Sequence, residues 1–544
     1  MDETSPSTQA SSGFHSLLSP DGQAPVRRAV EDTRALFQDL FLERIFEAAY
    51  GRLAPRRRSP YDSQGPQDDE PWRTEVLENL RNVFASPSSD VALVRERQDV
   101  ARDLARDDIA TPMRRFQASM AVMREGKRRA HKAWSRIEGH GWFLDAVQVY
   151  CHALEDLQAG LERARPEART LERLLADVSS YRAAPEHAAL CQGVDGLRRE
   201  LDEVRYAVRI AGDEVSVLKD PGSEDFRTVV ERTFARFRRG AVRDYRCKFG
   251  TNEWMSNVEA NIVDRVALLY PDLFGRIRSF RAEHDDFADD RWLCLDRELP
   301  FFLLWSDFLR RAAKAGVESC LPKLVDPASD TEVSDACDLA LVDQALGSDR
   351  RLVGNDFALQ GAERMIVVTG PNHGGKTTLA RVFGQVHHIA GLGLAVPARN
   401  ACLSLPDRIF THFERSEDIA TQRGKLQDDL VRMRSILDAA SPRSVIVMNE
   451  VFSSTSLEDA VWLGRRVMER LRELGCRCLF VTFLDELASF DSDTVSMVAL
   501  VDSGDPTVRT YKVIRKPSDG KAYARALASK YRVTREWLLR RIAS

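Results

Sequence analysis

The sequence predicts two textures in one chain, a mostly α-helical region up to about residue 338 and an α/β domain over 339–544. Three observations predict it. Apolar residues recur at helical spacing through 30–50, 94–137 and 171–210, between Arg/Glu-rich faces. After Pro322 the apolar runs become short and β-branched and alternate with helical stretches. Two of those runs end in a glycine-rich loop and in a carboxylate, where strands of an α/β sheet present functional groups.

The bulk properties bound the answer. A chain of 544 residues with 43% hydrophobic and 30% charged residues can build two to four ordinary domains. The net charge of -4 carries no global signature of nucleic-acid binding, although 79 Lys and Arg among 83 acids leave room for a local basic face. No apolar run is long enough to span a bilayer, and the N-terminus does not resemble a secretory signal. The nine cysteines are scattered, and Cys476 and Cys478 stand too close for a zinc knuckle or a redox motif. Reduced thiols in a cytoplasmic, non-membrane protein are the expectation.

Taken in order, residues 1–26 are rich in Ser, Pro, Gln and Gly and are expected to be disordered. Residues 27–90 form a small helical region, with one helix over 30–50 stopped by Gly51 and a polar loop over 56–71. Residues 91–338 form a helical domain of long packed helices or coiled-coil-like arms. Within it Lys219-Asp-Pro-Gly222 is a turn. Residues 226–249 then interleave eight basic residues, among them Arg236, Arg238, Arg239 and Arg243, with Phe234, Phe237, Tyr245 and Phe249. Two readings fit: a surface that contacts phosphates, or a solvated helix face with its Phe residues in a core. The basic patch around Lys127, Arg128 and Arg129 reads as a solvated face. Helices resume over 257–280 and 296–316.

The chemistry sits in the last third. A buried strand over 365–369 runs into Gly370-Pro371-Asn372-His373-Gly374-Gly375-Lys376-Thr377, which fits G-x-x-x-x-G-K-[ST], and a helix opens with Thr378. The glycines let backbone N–H groups turn inward around phosphates at a helix N-terminus. Lys376 brings a positive charge to the β- and γ-phosphates and the Thr377 hydroxyl can bind Mg²⁺, so the loop predicts binding of ATP with Mg²⁺. A second strand, 444–448, ends in Asn449-Glu450. Glu450 is placed to orient an attacking water as a base. Asn449 stands where an Asp usually serves the metal, keeping hydrogen bonds but not charge. A third strand, 478–482, offers Thr482 and Asp485 as groups that sense the γ-phosphate.

Residues 352–542 resemble the ATPase domain of the MutS mismatch-repair family, an ABC-type P-loop ATPase. The family loop T-G-P-N-M-G-G-K-[ST]-T differs only at His373, Val396-Pro-Ala398 precedes "LPDRIFTHF" as in the family, and "VMNEVFSSTSLEDA" is similar to "LMDEIGRGTSTYDG". The resemblance implies that Asp459 belongs to a dimer-contact loop, that residues 521–542 form a dimerisation element rather than a helix-turn-helix reader, and that the chain acts as a homodimer. It departs at three places: Gly424 stands where a Ser reaches the partner's nucleotide, Phe483 where the family has His, and Asn449 for Asp.

More weakly, "RERQDVARDLAR" and the helices after it look like the family's core and lever, 295–324 like the returning lever, and 219–250 like a reduced DNA clamp between them. No counterpart of the N-terminal mismatch-reading domain is expected, so the chain looks like a truncated MutS-like branch. The implied function is an ATPase that couples ATP and Mg²⁺ to lever and clamp movement on DNA of unusual structure. Two alternatives stand beside it: an ATP-driven switch acting on a protein partner, and a nucleotide-binding scaffold with weak turnover.

Overall fold

The computed structural model describes residues 14–19, 30–53, 70–212, 214–220, 222, 257–348, 351–414, 424–502 and 508–518. The chain opens with helices α1 (Val30–Asp39), α2 (Leu42–Tyr50), α3 (Glu70–Ala85), α4 (Val91–Leu104), α5 (Asp107–Lys132), α6 (Arg136–Ala164), α7 (Arg169–Ala183) and α8 (Pro185–Glu203). Strands β1 (Tyr206–Ala211) and β2 (Glu214–Lys219) precede helices α9 (Asn257–Leu269), α10 (Pro271–Glu283) and α11 (Asp290–Lys314). Mixed structure follows: β3 (Lys323–Leu324), β4 (Thr331–Ala336), α12 (Val342–Ser348), β5 (Asn355–Leu359), β6 (Met365–Thr369), α13 (Lys376–Leu392) and β7 (Asn400–Leu403). Next come β8 (Ile409–Phe413), α14 (Lys425–Ala439), β9 (Val445–Asn449), α15 (Leu457–Leu474), β10 (Arg477–Val481), β11 (Thr494–Val501) and β12 (Arg509–Arg515). Two compact units form, one from Met1–Ala110, Pro166–Arg173 and Arg297–Ser544, the other from Thr111–Arg165 and Leu174–Asp296.

The first unit is built on a six-stranded sheet in the order β12-β11-β6-β10-β9-β8. All pairs are parallel except β11 with β12. Strands β6, β9 and β10 are buried at every residue. One of their faces shares a core with Met433 and Ile436 of α14 and Val467, Met468 and Leu471 of α15. The alternate residues Ile366, Val368, Val447 and Leu479 are equally buried, and α13 packs against β9 and β10. A sheet covered on both faces needs unbroken apolar strands, which is the pattern these segments show. A second sheet, β3-β7-β4-β5, lies in the same unit.

The expected single helix over 30–50 is two helices. It breaks at Phe41, whose φ of 55° is left-handed. Tertiary partners explain the break. The Leu40 carbonyl accepts a hydrogen bond from Gln385 Nε2 at 2.9 Å, and the Arg381 guanidinium lies 4.4 Å over the Phe41 ring. Gln385 also donates to Asp338 Oδ1 at 2.7 Å and Arg381 to Asp338 Oδ2 at 2.8 Å, so one buried carboxylate holds both α13 side chains that reach the break. The Asp39 carboxylate accepts from Thr411 on β8 at 2.7 Å and from Arg432 on α14 at 2.9 Å.

The helical stretch expected over 171–210 is two helices, α7 and α8, and stops at Glu203; β1 and β2 then pair antiparallel with Tyr206 opposite Lys219 and Ala211 opposite Glu214. Two-residue alternation of Tyr206 and Val208, then Val215 and Val217, around Gly212 outweighs the Arg and Glu that suggested a helix. The helix expected over 257–280 divides at Tyr270, because Pro271 cannot continue it and instead starts α10. Of the turn expected over 219–222, the Gly222 N–H donates to Asp220 Oδ1 at 3.1 Å, and Pro221 lies outside the described residues. Among the described residues no helix is long and apolar enough to cross a membrane.

Candidate functional site

Strand β6, paired on both sides within the sheet, delivers the glycine-rich loop at its C-terminal end, and α13 begins where the loop stops. Gly370 has a φ of 115°, and a Cβ there would lie 3.0 Å from both the N and O atoms of Ala499 on β11. Only glycine fits that conformation and that approach. Gly375 caps α13 with a φ of 96°, and a side chain would press on the Tyr511 carbonyl at 3.2 Å. His373 also adopts a left-handed φ, 59°. Between Gly370 and Gly375 the loop closes with a hydrogen bond from Gly374 N–H to Pro371 O at 3.2 Å.

Lys376 turns back into the loop. Its Nζ donates to Gly370 O at 2.8 Å and to Pro371 O and Asn372 Oδ1 at 3.4 Å. The side chain is 4% exposed, and Glu450 Oε1 stands 4.0 Å away. Burial lowers the Lys376 pKa, the Glu450 charge opposes this, and Arg509 adds to the lowering. All three of its hydrogen-bond acceptors are neutral, so an anionic oxygen in the loop would be a stronger partner.

Strand β9 places the second group. Thr377 Oγ1 donates to Asn449 Oδ1 at 3.0 Å. Glu450 follows with φ 54° and donates its N–H to Val481 O on β10 at 2.9 Å. Phe452 is left-handed too, at 65°. Residues in this sparsely populated region persist where the surroundings hold them, and they cluster at sites that do work. Here His373 lies in the loop itself, Glu450 stands beside Lys376 and Tyr511 beside Gly375, while Phe452 belongs to the core under β9. The hydroxyl of Thr482 accepts from Leu484 N–H at 3.1 Å, and its own N–H donates to Val368 O at 3.1 Å. Asp485 opens a short 3-10 turn and accepts from the Ser518 hydroxyl. Phe483 is half exposed. Asp459 lies in the first turn of α15, where Ser456 Oγ donates to its carboxylate at 2.7 Å, beside the exposed Leu457 and Trp462. Thr378 is on the first turn of α13.

Several residues around the loop carried no signal in the sequence. Arg509 Nε donates to Asn372 O at 3.1 Å. Asn355 bridges to β12, donating to Tyr511 O at 3.1 Å and accepting from Val513 N–H at 2.7 Å. Glu414, just past β8, pairs with Lys425 and accepts from Ser453 Oγ at 3.0 Å. The Lys425 and Ser453 groups hold Glu414 below the ordinary carboxylate range, against the opposing effect of burial. Gly424 caps α14 without a side chain, so Lys425 is the first charged group of that helix. Each of these comes from a loop or strand end distant in sequence. The basic residues Arg236, Arg238, Arg239 and Arg243, with most of the segment over 219–250, and the C-terminal element over 521–542 lie outside the described residues.

The loop geometry fits a nucleotide triphosphate with Mg²⁺: a cradle that tolerates no Cβ at Gly370, a helix N-terminus, a buried ammonium, and a hydroxyl paired with an amide oxygen. The family model of MutS domain V, a P-loop ATPase domain, matches residues 366–533. The chain is 33% identical over 173 residues to the DNA mismatch repair protein MutS of Chloroflexus aurantiacus, covering 31% of this chain and 17% of that protein. It is 31% identical over 185 residues to the MutS of Rickettsia bellii, covering 33% and 21%. A longer alignment, 25% identical over 476 residues, joins it to the MutS of Prochlorococcus marinus and covers 80% of this chain and 50% of that protein. The matched regions thus span half the length or less of these curated relatives. The helical first part, the mixed sheet and the loop agree with these matches, so residues 366–533 carry a domain similar to MutS domain V in a chain similar to MutS proteins.

Proposed function

We propose that this protein is an ABC-type ATPase that binds ATP with Mg²⁺ at residues 370–378 and, as a homodimer, couples hydrolysis to movement of helical lever and clamp segments on DNA. The observation that carries the reading is the convergence of Lys376, Thr377, Asn449 and Glu450 at one end of β6 and β9. In this reading Gly370, Pro371, Asn372, His373, Gly374 and Gly375 wrap the phosphates, with backbone N–H groups from all of them but Pro371, which has none. Lys376 exchanges its loop carbonyls for phosphate oxygens, and Thr377 and Asn449 hold the metal through oxygen atoms. Mg²⁺, when bound, supplies charge that offsets the β- and γ-phosphates. Glu450 orients the attacking water and takes its proton. Thr482 and Asp485 read the γ-phosphate through the loop after β10.

The dimer is supported by the exposed Leu457 and Trp462 beside Asp459. DNA is supported by the relatives, which are DNA mismatch repair proteins, and by the Arg-rich segment containing Arg236, Arg238, Arg239 and Arg243. We assign residues 27–90 and 91–338 to the mostly helical part and 339–544 to the ATPase domain, with β3 and β4 of the former joining β5 and β7 of the latter in the second sheet. The test is Lys376→Ala with nucleotide binding measured by calorimetry. Loss of ATP affinity in a folded variant is expected, and unchanged affinity removes the proposal.

A further inference from the structure

In the second unit, far along the chain from the phosphate loop, α6 and α8 bring together Cys151, His187 and Cys191. Their sulfur and nitrogen atoms all lie within 4.8 Å of one another. His187 and Cys191 are four residues apart on α8 and so stack on one helix face, while Cys151 faces them from α6. Cys151 and His187 are buried, and Cys191 is half-buried. His187 Nε2 and Cys191 Sγ are 3.3 Å apart. The imidazole is set by its neighbours: the Tyr181 ring is 4.7 Å away and the Tyr150 ring 6.2 Å away. The two tyrosine hydroxyls are hydrogen-bonded to each other at 3.0 Å, which fixes both rings.

Packing alone accounts poorly for this cluster. A thiol is a weak hydrogen-bonding partner for a buried imidazole, and His187 Nδ1 is buried without a partner. The spacing instead approaches that of metal ligands. With Zn–S near 2.3 Å and Zn–N near 2.0 Å, tetrahedral geometry puts sulfur and nitrogen about 3.6 Å apart and two sulfurs about 3.8 Å apart. Asp195 stands one further turn along α8 and is exposed. Its carboxylate accepts from Gln148 Nε2, on α6, at 3.4 Å. The cluster therefore has a solvent-facing side on which a carboxylate or a water can complete four ligands.

We propose that Cys151, His187 and Cys191 form a site for a zinc-class cation, with the fourth ligand supplied from the Asp195 side, and that the ion pins α6 to α8. Two thiolates and a neutral imidazole balance the charge of a divalent ion and select soft metals over Mg²⁺. The site is independent of the ATP reading, because its ligands lie on helices of the other unit.

The test uses the full chain, stripped of metal under a phosphine reductant, and titrated with Cd²⁺ and Co²⁺. One equivalent should bind, with a thiolate-to-metal charge-transfer band for Cd²⁺ and tetrahedral visible bands for Co²⁺. Cys151→Ser and Cys191→Ser should each weaken binding more than about 100-fold, beyond the loss of an outer-shell partner. His187→Gln should shift the Co²⁺ spectrum. In the unmodified chain, Zn²⁺ should slow alkylation of Cys151 and Cys191 relative to the other cysteines, a readout that needs no variant to fold. The proposal is overturned by absence of the charge-transfer band, by the same band in the double Cys variant, or by alkylation rates that ignore Zn²⁺. A Cys151–Cys191 disulfide in freshly purified chain, with no metal affinity, also overturns it and makes the pair a redox staple.

Discussion

Glu450 sits 4.0 Å from the Lys376 ammonium with its backbone held left-handed at φ 54°, and that pairing yields the sharpest residue-level prediction. Glu450→Gln keeps shape and hydrogen bonding but removes the base, so ATP binding should survive while turnover falls by about 10²–10⁴-fold. Single-turnover hydrolysis alongside nucleotide affinity checks it, and wild-type turnover would place the base elsewhere. Asn449→Asp restores a charge beside Thr377 and should lower the Mg²⁺ concentration for half-maximal ATPase; an unmoved midpoint would mean that this position does not address the metal. His387 offers a pH test. Its Nδ1–H donates to Phe383 O at 2.8 Å inside α13. Burial is the main cause that pushes its pKa from 6.5 to about 4, partly opposed by that hydrogen bond. The folded state therefore binds this proton less readily than the unfolded chain. Stability from this group is intact above about pH 6.5 and is lost as pH falls toward 4, by about 3 kcal/mol in all. Melting temperature followed from neutral to mildly acidic pH should fall less steeply for His387→Leu than for the unmodified chain, and identical slopes would reject the assignment.

At the scale of elements, what the sequence made legible is what local chemistry decides. Strands β6 and β9 are unbroken apolar runs because they are buried on both faces, and the loop after β6 is spelled out by glycines that only that backbone requires. Gly370→Ala should destabilise the chain by about 1–3 kcal/mol and distort the loop, since it adds strain at φ 115° to a clash with Ala499. Chemical denaturation read together with ATP affinity tests both halves of that statement. The break between α1 and α2 was not legible. Leu40 and Phe41 fit an uninterrupted helix by spacing, and partners more than 300 residues away decide otherwise. The hairpin over 206–219 was hidden for a different reason, because charged residues on exposed strand faces resemble those of an amphipathic helix. Cys151, His187 and Cys191 escaped because 40 residues separate the thiols, and only the packing of α6 on α8 makes them neighbours.

For the whole molecule, the proposed DNA contact rests on the Arg-rich segment. Replacing Arg236, Arg238, Arg239 and Arg243 together should weaken binding alike for all sequences and reduce the log–log salt slope by about one unit per lost phosphate contact. ATPase without DNA should be unchanged. Salt titrations on duplex and branched DNA decide it, and equal slopes and affinities would make the segment structural and favour a protein partner. The first unit is also discontinuous in sequence, since Met1–Ala110 packs with Arg297–Ser544. A fragment starting at residue 297 would lack the acceptors of Gln385 and Arg432 on α1 and the chain just after it. It should be poorly soluble alone and recover when co-expressed with residues 1–110.

That discontinuity also orders events on the ribosome. The Leu40 carbonyl waits for an amide made 345 residues later, and Asp39 for a guanidinium 393 residues away. At the usual pace of synthesis the interval for Leu40 is roughly 20–70 s. Throughout it Leu36, Leu40, Ile45 and Phe46, all buried in the finished protein, have no native sheet to cover them. The nascent chain therefore carries these apolar residues uncovered for that whole interval, and its yield in a cell should depend on holdase chaperones far more than its final stability does.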